Sequence, residues 1–190
     1  GLALAGLRQG FFRRNEQALA NLGIYALGAI YLGLGGWFLV QIRLLGRMSD
    51  SWSGQTECLI LFLACVKSTD IGAYLIGRKI GRHKWVPSIS PNKSWEGFLA
   101  GVLTAAIVAS LLSEVFGIIK VWQAVIFGLI IGIIGQLGDL LESMFKRDSG
   151  SKDSARLVPE FGGVLDLLDS VLIAAMPAYV LLGWFLSNPN

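Results

Sequence analysis

The stretch GDLLESMFKRDSGSKDSARLVPEFGGVLDLLDS, residues 138–170, carries acidic and basic side chains between two long apolar segments. Its charges abut or enter segments that are long enough to cross a bilayer as helices. A charge in lipid is costly and by default marks a functional site. We therefore interpret the rest of the chain as a frame for this stretch and for one basic loop, residues 78–93.

The composition predicts an integral membrane protein. Of the 190 residues, 54% are hydrophobic, and the mean hydropathy is +0.61. The apolar residues form runs of roughly twenty, the length that spans a bilayer as a helix. Because only helices and closed barrels satisfy the backbone in lipid, these runs predict an all-α, polytopic membrane helix bundle.

About five transmembrane helices are predicted, over residues 17–41, 56–77, 94–116, 121–145 and 162–186. Ser94 is the predicted N-cap of the third span, and residues 117–120 are predicted to form a tight turn. The first span is glycine-rich, which predicts close helix packing and leaves a homodimer open; its glycines are Gly23, Gly28, Gly33, Gly35 and Gly36. The chain begins with Gly and a basic stretch without a cleavage pattern, so we expect an N-terminally truncated chain without a signal peptide.

The distribution of Lys and Arg predicts the orientation. If the spans alternate, one side holds residues 1–16, 78–93 and 146–161 with twelve Lys and Arg, and the other side holds three. Positive loops stay in the cytoplasm. The basic loop, the polar end of the fourth span and the start of the fifth are therefore expected on the cytosolic face.

Two spans contain charges that sequence spacing places together. Lys67 and Asp70 lie three apart inside the second span, so they share a helix face and can pair. The pair is either a self-neutralising helix stabiliser or part of a face that lines a polar cavity, and the cost of charge in lipid favours the cavity. In the fourth span, Asp139, Ser143 and Lys146 share one face.

Three carboxylates, Asp139, Asp166 and Asp169, are expected to converge from the fourth and fifth spans. Oxygen ligands without His or Cys favour Mg²⁺, which typically binds one or two carboxylates plus substrate phosphates. With Lys and Arg nearby, this pattern indicates phosphoryl or nucleotidyl transfer to a lipid phosphate. Helix capping is the competing explanation: it suits Asp166 at a helix start but not Asp139 near a helix end. The basic loop is interpreted as a phosphate-binding loop, and His83 within it as a solvated residue.

A gapped motif extends this interpretation. It comprises Ser143, Lys146, Arg147, Lys152, Asp153, Pro159, Gly162, Gly163, Asp166 and Asp169. With the segments TDIGAY at residues 69–74 and SPNKSWEG at residues 90–97, the chain resembles the phosphatidate cytidylyltransferase family (CDP-diacylglycerol synthases) over roughly residues 67–170.

The resemblance implies a single membrane-embedded catalytic domain, residues 1–190, that uses CTP, phosphatidic acid and Mg²⁺, with a second cation left open. It implies the products CDP-diacylglycerol and pyrophosphate. The Lys and Arg distribution places the site on the cytosolic face, and we expect the membrane to be a bacterial plasma membrane. The implied metal ligands are Asp139, Asp166 and Asp169, with Lys146 and Lys152 as further catalytic residues. The implied substrate-binding residues are Lys67, Asp70, Ser90, Lys93, Ser143, Arg147 and Asp153.

Three positions depart from the family motif: Glu160 replaces Gly, Phe161 replaces His and Leu167 replaces Arg. We expect activity to survive because nucleotidyl transfer rests mostly on metal and positioning. Three alternatives stay open at this point: a CTP-dependent kinase of a polyprenol-type lipid, an ion transporter, and a relative that binds without turnover.

Overall fold

The computed structural model describes residues 18–46, 54–148 and 164–188. Within them the predicted all-α membrane bundle is confirmed, because five helices are long and apolar enough to cross a membrane. In chain order the elements are α1 (Ala18–Leu45), α2 (Gly54–Ile80), β1 (Lys84–Val86), β2 (Ser90–Ser94), α3 (Trp95–Phe116), α4 (Val121–Asp148) and α5 (Val164–Ser187).

The helices pack in a chain of neighbours. Helix α3 lies between α2 and α4, and α5 packs on α4 and on α1. The centre is filled by side chains with almost no exposed surface, among them Phe62 of α2, Phe127 of α4 and Phe185 of α5. Small residues let α3 and α4 approach closely: a Cβ added at Gly128 would lie 2.5 Å from Ala106 Cα and 2.7 Å from Ala105 O. This packing sets the positions from which the polar side chains project.

Helix α3 begins and ends as its sequence predicts. The Ser94 hydroxyl accepts a hydrogen bond from Gly97 N at 3.2 Å, which confirms the N-cap. Gly117 has a φ of 67° and its N–H donates to Ser113 O at 2.8 Å. That left-handed C-cap favours glycine, and it forms the predicted tight turn before α4.

The basic segment at residues 78–93 is not a plain loop, and this prediction was wrong. Helix α2 continues to Ile80, and the segment then forms an antiparallel hairpin of β1 and β2, in which Lys84 faces Ser94 and Val86 faces Ser90. The strands are short, lack clean alternation and include Pro91, so they give little sequence signal. Packing stabilises them: the Trp85 ring lies 4.7 Å from the Phe98 ring of α3. We call the end of the bundle that carries β1 and β2 the hairpin end.

The close packing predicted for the first-span glycines holds at one of five positions. A Cβ at Gly35 would lie 2.7 Å from Leu172 Cδ2 and 3.2 Å from Leu172 Cα, which marks a tight crossing of α1 and α5. A Cβ at the other four would meet no atom within 4 Å in the part of the chain that the structure describes; these are Gly23, Gly28, Gly33 and Gly36. Composition alone does not show which of these glycines contacts another helix.

Candidate active site

Helices α4 and α5 bring two of the predicted carboxylates to the hairpin end. A Cβ at Gly138 would lie 3.3 Å from Ser170 Cα and 3.3 Å from Ile173 Cβ, so the backbones cross where Gly138 leaves room. Asp139 follows Gly138, and Asp169 precedes Ser170. The crossing therefore places both carboxylates in the same small region, as the sequence predicts.

Asp169 is the more deeply buried of the two, with 3% of its surface exposed. Its Oδ1 accepts a hydrogen bond from Ser170 N at 2.5 Å. Its Oδ2 is buried and has no hydrogen-bond partner among the described residues. A buried carboxylate oxygen without a partner is costly, and it is suited to receive a cation or a donor from a ligand.

The hairpin contributes a cation to this region. Lys93 Nζ of β2 lies 2.8 Å from Asp139 Oδ2, and the side chains are 20% and 44% exposed respectively. Lys93 Nζ is buried and makes no hydrogen bond with the described residues. Its contact with Asp139 is therefore an ion pair without a well-directed hydrogen bond. The ring of Trp85 lies 6.0 Å from Nζ and helps to enclose it. Lys93 therefore joins the predicted phosphate-binding segment directly to a predicted metal ligand.

Helix α2 supplies a second charged pair. Lys67 Nζ lies 3.4 Å from Asp70 Oδ2, so the predicted pairing is confirmed. The two side chains are 43% and 39% exposed although they belong to a membrane-spanning helix. Asp139 and Asp169 lie near enough to Asp70 for their charges to reach it, so the pair on α2 lies on the side of the bundle where α4 crosses α5.

A buried glutamine fixes α4 beneath these charges. Gln136 Nε2 donates to Phe98 O at 2.8 Å, which ties α4 to the first turn of α3. Asp139 lies one turn further along α4. The amide therefore holds the helix that carries Asp139 against the base of the hairpin.

Two of the predicted binding residues have modest roles in the described contacts. Ser143 Oγ donates to Asp139 O at 2.9 Å, a bond within its own helix. Ser90 opens β2 and pairs with Val86 across the hairpin. Neither described contact defines a ligand site.

Five of the predicted site residues have no described side chain. Lys152 and Asp153 lie outside the described residues. Lys146 and Arg147 belong to α4 and Asp166 to α5, but only their backbones are described. Among the described side chains, no group of three His, Cys, Asp or Glu is arranged to hold a metal ion. The predicted ligand set that includes Asp166 therefore stays a prediction.

The structure adds contacts that the sequence did not predict. Tyr31 of α1 donates its hydroxyl hydrogen to the backbone O of Asp169 at 3.0 Å. His83 Nδ1 lies 2.6 Å from Glu96 Oε1, so His83 is a solvent-exposed residue with a specific partner at the start of α3. No sequence motif predicts either contact, because the residues that each contact joins are not related by a helix or strand repeat.

Comparison with known proteins identifies the family. The family described as "Cytidylyltransferase family" matches residues 2–185, and the chain belongs to it. The resemblance that the motifs indicated is therefore confirmed.

Bacterial relatives named phosphatidate cytidylyltransferase are similar over much of the chain. One from Bacillus subtilis (strain 168) is 36% identical over 175 residues, which is 90% of this chain and 62% of the relative. One from Brucella suis biovar 1 (strain 1330) is 40% identical over 169 residues, 87% of this chain and 58% of the relative. One from Mycobacterium bovis (strain ATCC BAA-935 / AF2122/97) is 40% identical over 134 residues, 70% of this chain and 42% of the relative. The chain thus spans roughly 40–60% of the length of these relatives.

Proposed function

We propose that this protein transfers CMP from CTP to phosphatidic acid, giving CDP-diacylglycerol and pyrophosphate in phospholipid biosynthesis. The observation that carries the proposal is the meeting of Asp139 and Asp169 where α4 crosses α5, with Lys93 2.8 Å from Asp139, at the hairpin end of a membrane bundle. Family membership and the names of the bacterial relatives support the same chemistry.

The proposed reaction forms one bond and breaks one. A phosphate oxygen of phosphatidic acid attacks the α-phosphorus of CTP, and the bond between this phosphorus and the oxygen that bridges to the β-phosphorus breaks. The bridging oxygen leaves with pyrophosphate. The protein's task is to position two anionic reactants and to offset the charge that develops between them.

Mg²⁺ is the proposed cofactor, held by Asp139 and Asp169 with Asp166 beside them, and a second cation is left open. The fit rests on the all-oxygen donor set and on the buried Oδ2 of Asp169, which lacks a described partner. When bound, the ion would neutralise phosphate charge and favour the leaving group.

The protein's own cations complete the proposed site. Lys93, already at Asp139, is placed to contact phosphate oxygens, and Lys146, Arg147 and Lys152 are the further phosphate-binding candidates. We propose that Ser90, Ser143 and Asp153 border the bound substrates. The half-exposed pair Lys67 and Asp70 on α2 would meet the lipid headgroup at the side of the bundle.

The excess of Lys and Arg on one side supports a cytosolic location for this site, and the bacterial relatives support a plasma membrane.

The contacts at the opposite end of the bundle support a transferase over an ion transporter. An ion path would need polar side chains that are available to an ion at that end. There the buried Gln123 accepts from Lys120 N at 2.9 Å and donates to Asn188 O at 3.2 Å, so its polar groups serve the helix ends.

Product analysis tests the proposal. The purified protein is incubated in detergent with phosphatidic acid, CTP and Mg²⁺, and pyrophosphate and lipid-linked CMP are measured together. Equal amounts of both are expected. Release of CDP with a polyprenol-type acceptor would instead show the lipid kinase, and CTP binding without either product would show a relative that binds without turnover.

A further inference from the structure

The hairpin end carries exposed cations that the proposed active site does not use. They are Arg78, Lys79, Arg82 and Lys84, which we call the cation patch. Lys93, by contrast, is turned inward to Asp139. Within the described ranges, no carboxylate lies at ion-pair distance from the patch. The patch is therefore a concentration of positive charge for which the described side chains provide no counter-ion.

The backbone that carries Arg82 and Lys84 is firmly attached to the bundle. Trp95 N donates to His83 O at 2.9 Å, and both the backbone N and the ring of His83 contact the Glu96 carboxylate. The Glu96 carboxylate is thus bound by His83, which lies between Arg82 and Lys84 in the chain. Because the hairpin base is fixed at α3, the cations are presented from a defined platform, which lowers the entropy cost of binding a ligand.

The ends of two candidate spans place the patch at the expected level of the lipid headgroups. The α2 span ends at Ile80, and the next span begins at Trp95, so the patch lies at or next to the ends of two spans. Exposed aromatic side chains mark this boundary: Tyr74 is 61% exposed and Trp95 is 48% exposed. Aromatic rings are enriched at membrane interfaces, and the Arg78 guanidinium donates to the Tyr74 hydroxyl at 2.8 Å.

Helix capping explains only part of the patch. Arg78 and Lys79 lie in the last turn of α2, where cations are favoured by the helix dipole. Arg82 and Lys84 lie beyond the helix, and their charges require another explanation. An anionic headgroup in the adjacent leaflet has the matching charge and lies at the matching depth.

We propose that the cation patch binds the phosphate of a non-substrate anionic phospholipid, with Arg82 and Lys84 as its specific contacts. The binding surface is on the outside of the hairpin, separate from the Lys93–Asp139 contact. It therefore does not depend on the proposed transfer reaction.

Native mass spectrometry of the purified protein in neutral detergent tests this proposal, with phosphatidylglycerol as the probe and phosphatidylcholine as the uncharged comparison. The test variant is Arg82→Gln with Lys84→Gln. The matched control is Arg43→Gln with Lys120→Gln, which removes two exposed cations from the opposite side of the bundle. We expect the test variant to weaken phosphatidylglycerol binding by about twenty-five-fold, which is about fivefold for each cation, and the control to leave it unchanged.

Equal weakening in the two double variants, or no weakening in either, would overturn the proposal. Equal affinity of the parent for phosphatidylcholine would also overturn it, because apolar lipid contact would then suffice. The swap Arg82→Lys with Lys84→Arg keeps both charges and should retain binding. Loss of binding in this swap, with unchanged thermal unfolding, would show that charge at the patch is not the determinant.

Discussion

Lys93 occupies the position where the hairpin meets α4. Its ammonium group lies 2.8 Å from an oxygen of Asp139, a residue proposed to hold the metal. Partners of metal ligands orient those ligands and influence activity without being ligands themselves. Lys93 can therefore act both on Asp139 and on a substrate phosphate.

Substitution Lys93→Met keeps the aliphatic length beside Trp85 and removes the charge. We expect turnover to fall by about 10–100-fold, the usual effect of losing a partner of a metal ligand. Steady-state CMP transfer measures this change. Lys120→Met, at an exposed position on the opposite side, is the matched control. Equal rates in the two variants would show that Lys93 has no role in the site.

Residue types at the site were predictable, but their contacts were not. Charges inside apolar runs marked Lys67, Asp70, Asp139 and Asp169, because lipid makes such charges costly. The partner of Lys93 depends on where the hairpin folds back, and that depends on packing of Trp85 against α3. Spacing in the sequence describes one helix face at a time and cannot specify contacts between elements.

At the scale of elements, the five helices were predictable because long apolar runs have few other solutions in lipid. The positions at which these helices cross were not predictable from the sequence. The glycines of the first span looked alike, yet only Gly35 lies against another helix in the described structure. Among the described glycines, the closest approach to the backbone of another helix is instead at Gly128, where α4 meets α3.

This difference predicts opposite results for two Gly→Ala substitutions. Gly128→Ala places a methyl group against α3 backbone, and overpacking of this kind costs about 1–3 kcal/mol. Gly33→Ala meets no described atom, and should stabilise its helix slightly, by up to about 1 kcal/mol. Thermal unfolding in detergent compares them. A lower midpoint for Gly33→Ala than for Gly128→Ala would contradict the packing of α3 and α4.

Helix α1 reaches the site through Tyr31, whose hydroxyl bonds to the backbone of Asp169. Removal of one such hydrogen bond, in Tyr31→Phe, has a net cost of about 1 kcal/mol, or roughly fivefold. We expect that loss in kcat with KM for CTP unchanged, because the bond positions Asp169 and touches no substrate. Tyr179→Phe on α5, where the ring packs against Phe38, is the control. An unchanged kcat in Tyr31→Phe would show that α1 only packs beside the site.

At the scale of the whole molecule, the bundle is polarised. Asp139, Asp169, the hairpin and most of the Lys and Arg among the described residues lie at one end, and the contacts of Gln123 with helix ends lie at the other. The charge rule predicts that the hairpin end faces the cytosol.

Single cysteines test this orientation. Ser88→Cys lies in the turn of the hairpin and Lys120→Cys in the turn before α4, and both positions are exposed. The native Cys58 and Cys65 are buried and should give little background. In intact spheroplasts, a membrane-impermeant maleimide should label Lys120→Cys and reach Ser88→Cys only after permeabilisation. The reverse pattern would place the site on the outer face and contradict the use of CTP from the cytosol.

The most direct measurement of the central claim is CMP transfer by Asp169→Asn beside Glu114→Gln. The first removes the charge of the buried carboxylate at the hairpin end, and the second removes an exposed charge near the opposite end of α3. Pyrophosphate and lipid-linked CMP are measured together for both variants and the parent. We predict that Asp169→Asn loses both products by about 100-fold or more, while Glu114→Gln matches the parent. Parent-level transfer by a folded Asp169→Asn protein would contradict the claim that this carboxylate cluster is the site of the reaction.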